Sequence, residues 1–158
     1  MSNRAVLMSI KPKYADLIFA GTKTIELRRV CPKVVPGDLV LVYVSSPRMA
    51  LVGGFEVAGI VSAEPLTLCK KWQPQSGVEK ETFLHYFQGA ATAYGTIIGR
   101  TWQFESATDL KSLRRTKGGF HPPQSYRYVE REELVKLIFL ALGRYRGVVY
   151  ESRHESCN

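Results

Sequence analysis

Between Pro12 and Arg29 the chain reads PKYADLIFAGTKTIELRR, and its two halves keep different periods. Tyr14, Leu17 and Ile18 recur at helical spacing, Pro12 suits a first helical turn where its missing N–H costs nothing, and Gly21 fits the stop. From Thr22 onward the residues alternate as a strand. Ile25 and Leu27 share one face with Lys23 on their parity, and Thr24, Glu26 and Arg28 take the other. By local chemistry alone the charges read in two ways. They are a salt-bridged face in water, which contributes little to stability, or the wall of a polar cleft. In a cleft, arginine forks onto phosphate and glutamate accepts from the amino group of a base.

Outward from this stretch the pattern is strand–helix–strand–strand. The apolar run RAVLMSI precedes the helix as a buried first strand. After the turn VPGD comes LVLVYVSS, a continuous β-rich run that reads as buried on both faces. ALVGGFEVAGIVSAEPL reads as a long strand bent at Gly53-Gly54. CKKWQPQSG reads as a loop or short turn, VEKETFLHYFQG as a helix stopped by Gly89, TAYGTIIGRTWQFES as a strand, and DLKSL as a helical turn. RRTKGGFHPPQSYRYVE reads as a long basic and aromatic loop. EREELVKLIFLALG closes as a helix whose Leu134, Leu137, Ile138 and Leu142 cover an open end of the barrel or, in another reading, are offered to a partner protein. RYRGVVYESRHESCN is expected to be a strand and a loose tail. Five or six strands with short helices in this order predict a small mixed α+β barrel, not a doubly wound sheet.

The 158 residues fit one domain, with the core over about 4–143. The net charge of +8 is uneven. Residues 1–50 hold 8 basic and 3 acidic groups, net +5, and residues 100–131 hold 7 and 3, net +4. Between them, residues 51–99 hold 3 and 4, net −1. Folding that joins the two basic segments makes the positive surface a polyanion needs. Cysteines 31, 69 and 157 and histidines 85, 121 and 154 are too scattered for a disulfide framework or a zinc pattern, so no metal is expected. No phosphate loop, GxSxG elbow or GxGxxG turn is present, and no cofactor is expected. No stretch reads as a membrane span or a signal peptide, and the expected location is the cytoplasm.

GGFHPPQSYRYV is the second candidate for chemistry. Phe120, Tyr126 and Tyr128 are interleaved with His121, Gln124 and Arg127, and bases stack on aromatic faces while basic groups hold phosphates. The same tyrosines would equally serve to pack the loop onto the barrel. Ser45 and Ser46, ending a strand, are expected to line the cleft with hydroxyls or to cap a turn.

VLMSIKPKYADLIFAGTKTIELRR, then PGDLVLVYVSSP, then LVGGFEVAGI together resemble the ASCH family of the PUA-like superfamily. The signature GxKxxExR is matched by Gly21, Lys23, Glu26 and Arg28, and FHPPQSYRYV is similar to the closing segment of members labelled predicted transcriptional regulators. The resemblance implies a small β-barrel with helices at its rim and a cleft lined by the box. The implied ligand is RNA, another nucleic acid, a nucleotide or a modified nucleoside, in a cleft lined by Lys23, Glu26 and Arg28 of the box. The residues' own chemistry adds Ser45, Ser46, Gln124, Tyr126 and Arg127 as expected ligand contacts. Some members are hydrolases: an N4-acetylcytidine amidohydrolase subgroup uses a lysine, a threonine and a glutamate, and others are ribonucleases on single-stranded RNA. The amidohydrolase lysine falls on Lys23, but its threonine falls on Glu26, and its glutamate is matched only loosely by Glu79 or Glu81. A carboxylate cannot take over attack by a hydroxyl, so the departure implies holding a ligand over cutting one, with Lys23 and Glu26 the residues of any catalysis.

Overall fold

Residues 5–116 and 119–143 are described by a computed structural model. In chain order they form β1 (Ala5–Ile10), α1 (Pro12–Phe19), β2 (Ile25–Arg28), β3 (Leu39–Val44), β4 (Ala50–Ala63), α2 (Pro65–Ser76), α3 (Lys80–Tyr86), β5 (Ala93–Asp109), α4 (Leu110–Arg114), β6 (Tyr126–Val129) and α5 (Arg131–Ala141). The strands make one curled six-stranded sheet in the order β2-β5-β4-β3-β1-β6. β1 and β3 run parallel, joined through α1 and β2, and the other neighbouring pairs are antiparallel. These pairings make an α+β half-barrel, as the resemblance to the PUA-like superfamily implies.

Strand alternation sorts the apolar residues into separate cores. Val6, Met8 and Ile10 of β1 and Val40, Val42 and Val44 of β3 point inside the curl, where Ala15 and Ile18 of α1 fill it. Their neighbours Ala5, Leu7, Leu41 and Tyr43 face outward onto Leu113, Phe120 and Leu137. Ile25 and Leu27 of β2 pack under α2 and α3 with Leu68, Phe83 and Phe87. β4 bends where expected: its register with β3 slips between Val42 and Tyr43, opposite Gly53. A side chain at Gly54 would overlap the Val40 carbonyl and the Trp102 ring, so glycine alone lets the layers approach here.

Three expectations change. CKKWQPQSG is not a loop but most of α2, opened by Pro65 and closed by Gly77 at φ 68°. Pro74 falls in its last turns, where few amide partners are lost, so it reads as a breaker while leaving the helix intact. SYRYV does not stay in the loop; Tyr126–Val129 pair with Met8–Ala5 as β6. Finally, α5 does not close a barrel end. Leu137 is buried against the outer face of the sheet, and Leu134 packs beside it. The expected strand in RYRGVVYESRHESCN lies outside the described residues. None of the described helices is long and apolar enough to cross a membrane.

Candidate functional site

The hinge between α1 and β2 sets the first member of the site. Gly21, at φ 79°, turns the chain, and the amides of Thr22 and Lys23 both donate to the Leu17 carbonyl. Lys23 therefore belongs to the helix-ending turn, and strand parity does not govern its side chain. The strand begins only at Ile25, with Thr24 donating to the Gln75 carbonyl and accepting from the Ile98 amide. Freed from the parity of Ile25 and Leu27, the Lys23 ammonium turns inward and is 2% exposed. It donates to the Ser76 carbonyl at 2.6 Å, meets Glu26 Oε2 at 3.2 Å, and lies 5.3 Å from the centre of the Tyr14 ring. Burial pushes the Lys23 ammonium below its ordinary pKa; Glu26 opposes the shift and Arg28 adds to it.

Glu26 and Arg28 follow the expected alternation, on the face of β2 opposite Ile25 and Leu27. Glu26 Oε1 accepts from Arg28 Nη2 at 3.0 Å, so one carboxylate joins two cations. The three groups sum to +1 in a place where each is 9% exposed or less. Two polar atoms there are buried without a hydrogen-bond partner among the described residues: Arg28 Nε and Thr96 Oγ1. Thr96 stands opposite Glu26 across the β2–β5 ladder, so both side chains share a face. An unpartnered buried polar atom costs about 1–3 kcal/mol, so two of them beside one charged cluster mark this as a polar, unsatisfied part of the interior.

The curl of the sheet brings its two edges together at this place. β2 and β6 lie at opposite ends of the strand order, yet Arg28 Nη2 reaches the Ser9 carbonyl of β1 at 3.5 Å. Tyr126 of β6 pairs with Met8 and packs on the inner core. Burial raises the Tyr126 phenol pKa, with Tyr128 and Cys31 adding and Arg28 opposing. Its hydroxyl donates to the Cys31 carbonyl at 3.4 Å. Tyr128, on the same face, meets Tyr126 edge to face at 6.1 Å and is 43% exposed. Lys23, Glu26 and Arg28 thus form one ion-paired cluster, and Tyr126 and Tyr128 lie on β6, which pairs with the β1 strand that Arg28 reaches.

Of the other expected ligand residues, Arg127 faces away, while Ser45 and Gln124 flank the end of β1 at Ser9 and Ile10, where the Ser9 carbonyl meets Arg28. Arg127 alternates to the far side of β6, where it forks onto Glu133 of α5 and lies over the Phe120 ring. Ser45 and Ser46 follow β3; the Ser45 amide donates to the Ile10 carbonyl and its carbonyl accepts from the Met49 amide, so Ser45 works as a turn cap. Gln124 is exposed in the loop before β6. Glu79 and Glu81 are exposed at the start of α3. A groove of about 940 Å³ between the end of β5, α4 and the end of α5 has none of the GxKxxExR residues in its wall.

Sequence reasoning missed Thr96, Ser9 and the Ser76 carbonyl. Thr96 carries no local signal, because only its register with Glu26 gives it meaning. α2 was recoverable from Pro65, Gly77 and the helical spacing of Leu68 and Trp72, and with it the carbonyl that holds Lys23.

Comparison with known proteins bears on the family and the fold. A protein of Zymomonas mobilis named ASCH domain-containing ribonuclease is 26% identical over 137 residues, spanning 87% of this chain and 92% of its own. The crystal structure of ASCH from Zymomonas mobilis superposes with a TM-score of 0.81 at 24% identity, covering 87% of this chain and 95% of that one. Large ribosomal subunit protein uL22 of Ureaplasma parvum is 24% identical over 132 residues, 82% of this chain but 40% of that protein. The ASCH domain model itself matches residues 8–107, a span that includes the whole GxKxxExR box, and the chain belongs to the ASCH domain family.

Proposed function

We propose that this chain is a binding domain for single-stranded RNA or a nucleotide, held where the two edges of the curled sheet meet. The observation that carries the reading is the buried Lys23–Glu26–Arg28 cluster with its unpartnered Arg28 Nε. Its net positive charge attracts a polyanion, and its carboxylate accepts from an exocyclic amine, a combination that RNA offers. Tyr128, exposed on β6, supplies a face for stacking. Fluorescence anisotropy with a labelled single-stranded RNA at low salt tests the reading, and micromolar protein that leaves the probe free would sink it. Tyr128→Ala is expected to weaken binding by about 5- to 100-fold, the range of one base–aromatic stack, with a small drop in melting temperature because the Tyr128 hydroxyl accepts from the Lys33 amide at 2.8 Å.

A second reading, ribonuclease action on single-stranded RNA, is favoured by the name of the Zymomonas mobilis relative and by the depressed Lys23 ammonium. A buried lysine held below its ordinary pKa has more of the neutral amine that general-base catalysis needs. Labelled RNA incubated with and without Mn²⁺ decides it. Cleavage that Lys23→Ala abolishes supports the enzyme, and intact RNA after prolonged incubation removes it.

A further inference from the structure

We infer that Thr96 contacts the ligand directly, its hydroxyl and the Arg28 Nε–H forming a two-donor seat for the acceptor edge of a nucleobase while Glu26 takes the base's own N–H. The inference rests on the RNA-binding reading above and specifies which part of the nucleotide enters the cluster. Thr96 is 1% exposed and Arg28 9%, and both carry a polar atom closed off from solvent with no partner among the described residues, so a base edge reaches them only when the cluster opens. They belong to neighbouring strands, with Thr96 directly opposite Glu26 and Arg28 two positions farther along the same face.

The mixture of groups selects the base over the phosphate. A phosphate offers acceptors alone and carries negative charge, so it would satisfy Arg28 and Thr96 while being repelled by Glu26 at their side. A base edge is neutral and sets an N–H donor beside a carbonyl or ring-nitrogen acceptor, which matches one carboxylate flanked by two donors. The guanidinium is already oriented, since Glu26 Oε1 and the Ser9 carbonyl hold Nη2 and leave Nε–H to the ligand. The neighbouring Lys23 is committed to the Ser76 carbonyl and Glu26, so it shapes the charge of the seat.

The test compares Thr96→Val, which replaces the hydroxyl by a methyl at nearly constant shape, with Thr96→Ser, which keeps the hydroxyl. Anisotropy is read with a labelled single-stranded RNA and with its abasic counterpart, which has the same phosphates. Wild-type protein is expected to bind the base-bearing strand about tenfold or more tighter than the abasic one. T96V should lose about tenfold on the base-bearing strand alone, T96S should restore most of it, and T96V should melt at or above the wild-type temperature because an unpartnered buried hydroxyl has gone. Wild-type affinity in T96V overturns the role of Thr96 and leaves the RNA-binding reading standing. Equal wild-type binding of the two strands overturns the base seat, and a T96V protein that unfolds shows the hydroxyl to be structural. Wild-type protein that binds neither strand removes the RNA-binding reading and this inference with it.

Discussion

Glu26→Ala is expected to lower the unfolding free energy by about 3–5 kcal/mol, because it strands Lys23 and Arg28 as two buried cations with no carboxylate between them. For a chain of this length that corresponds to a melting temperature lower by roughly 10 °C, read by circular dichroism. The size comes from the asymmetry of buried ion pairs. Making such a pair is nearly neutral, since desolvation offsets attraction, whereas removing one partner leaves the full desolvation penalty of the other. Lys23→Met is the informative contrast. It leaves the Glu26–Arg28 pair electrically balanced and places an apolar chain against Tyr14, so it should cost far less. A loss under about 1 kcal/mol in Glu26→Ala would mean that water screens the cluster as it screens a surface pair.

Arg28→Met is expected to weaken binding of single-stranded RNA by about 100-fold while the protein stays folded. Lys23 still neutralises Glu26 in this variant, and methionine fills the aliphatic part of the arginine. The magnitude follows from losing one or two charge-assisted hydrogen bonds at about 1.5–3 kcal/mol each. The salt dependence separates two roles for the guanidinium. If Arg28 contacts a base, the slope of log K against log salt is unchanged in the variant; if it neutralises a phosphate, the slope falls by about 0.7. RNA affinity equal to wild type would show that the cluster is structural and that the ligand lies elsewhere on the surface.

Several features of this site are legible in the amino-acid sequence. The change of period between PKYADLIF and TIELRR marks the hinge at Gly21, and alternation puts Glu26 and Arg28 on one face of β2. The Gly53-Gly54 bend and the turn at Gly37 are equally plain, because each depends on neighbours in the chain. Lys23 shows where such reading stops. Its parity assigns it to the face of Ile25 and Leu27, but the helix-ending turn extends through its amide, and parity holds only within a strand. Pro74 hides α2 for a related reason: a proline is read as a break unless the turns already formed before it are counted. The loop reading of SYRYV fails because an edge strand of four residues is defined by its partner β1 more than by its own pattern.

The local grammar is written in the chain: a helix handing over to a charged strand, the GxKxxExR box, a bent glycine strand, and through them the ASCH family. Which of those residues meet is settled by the folded sheet. Pairing of β6 turns Tyr126 inward and Arg127 outward, the register of β2 on β5 sets Thr96 opposite Glu26, and the end of α2 arrives at Lys23. Periodicity is imposed by adjacent residues, whereas strand register and sheet curl depend on burying apolar faces contributed by segments far apart in the chain. A cluster built across that register becomes visible only when the sheet is closed.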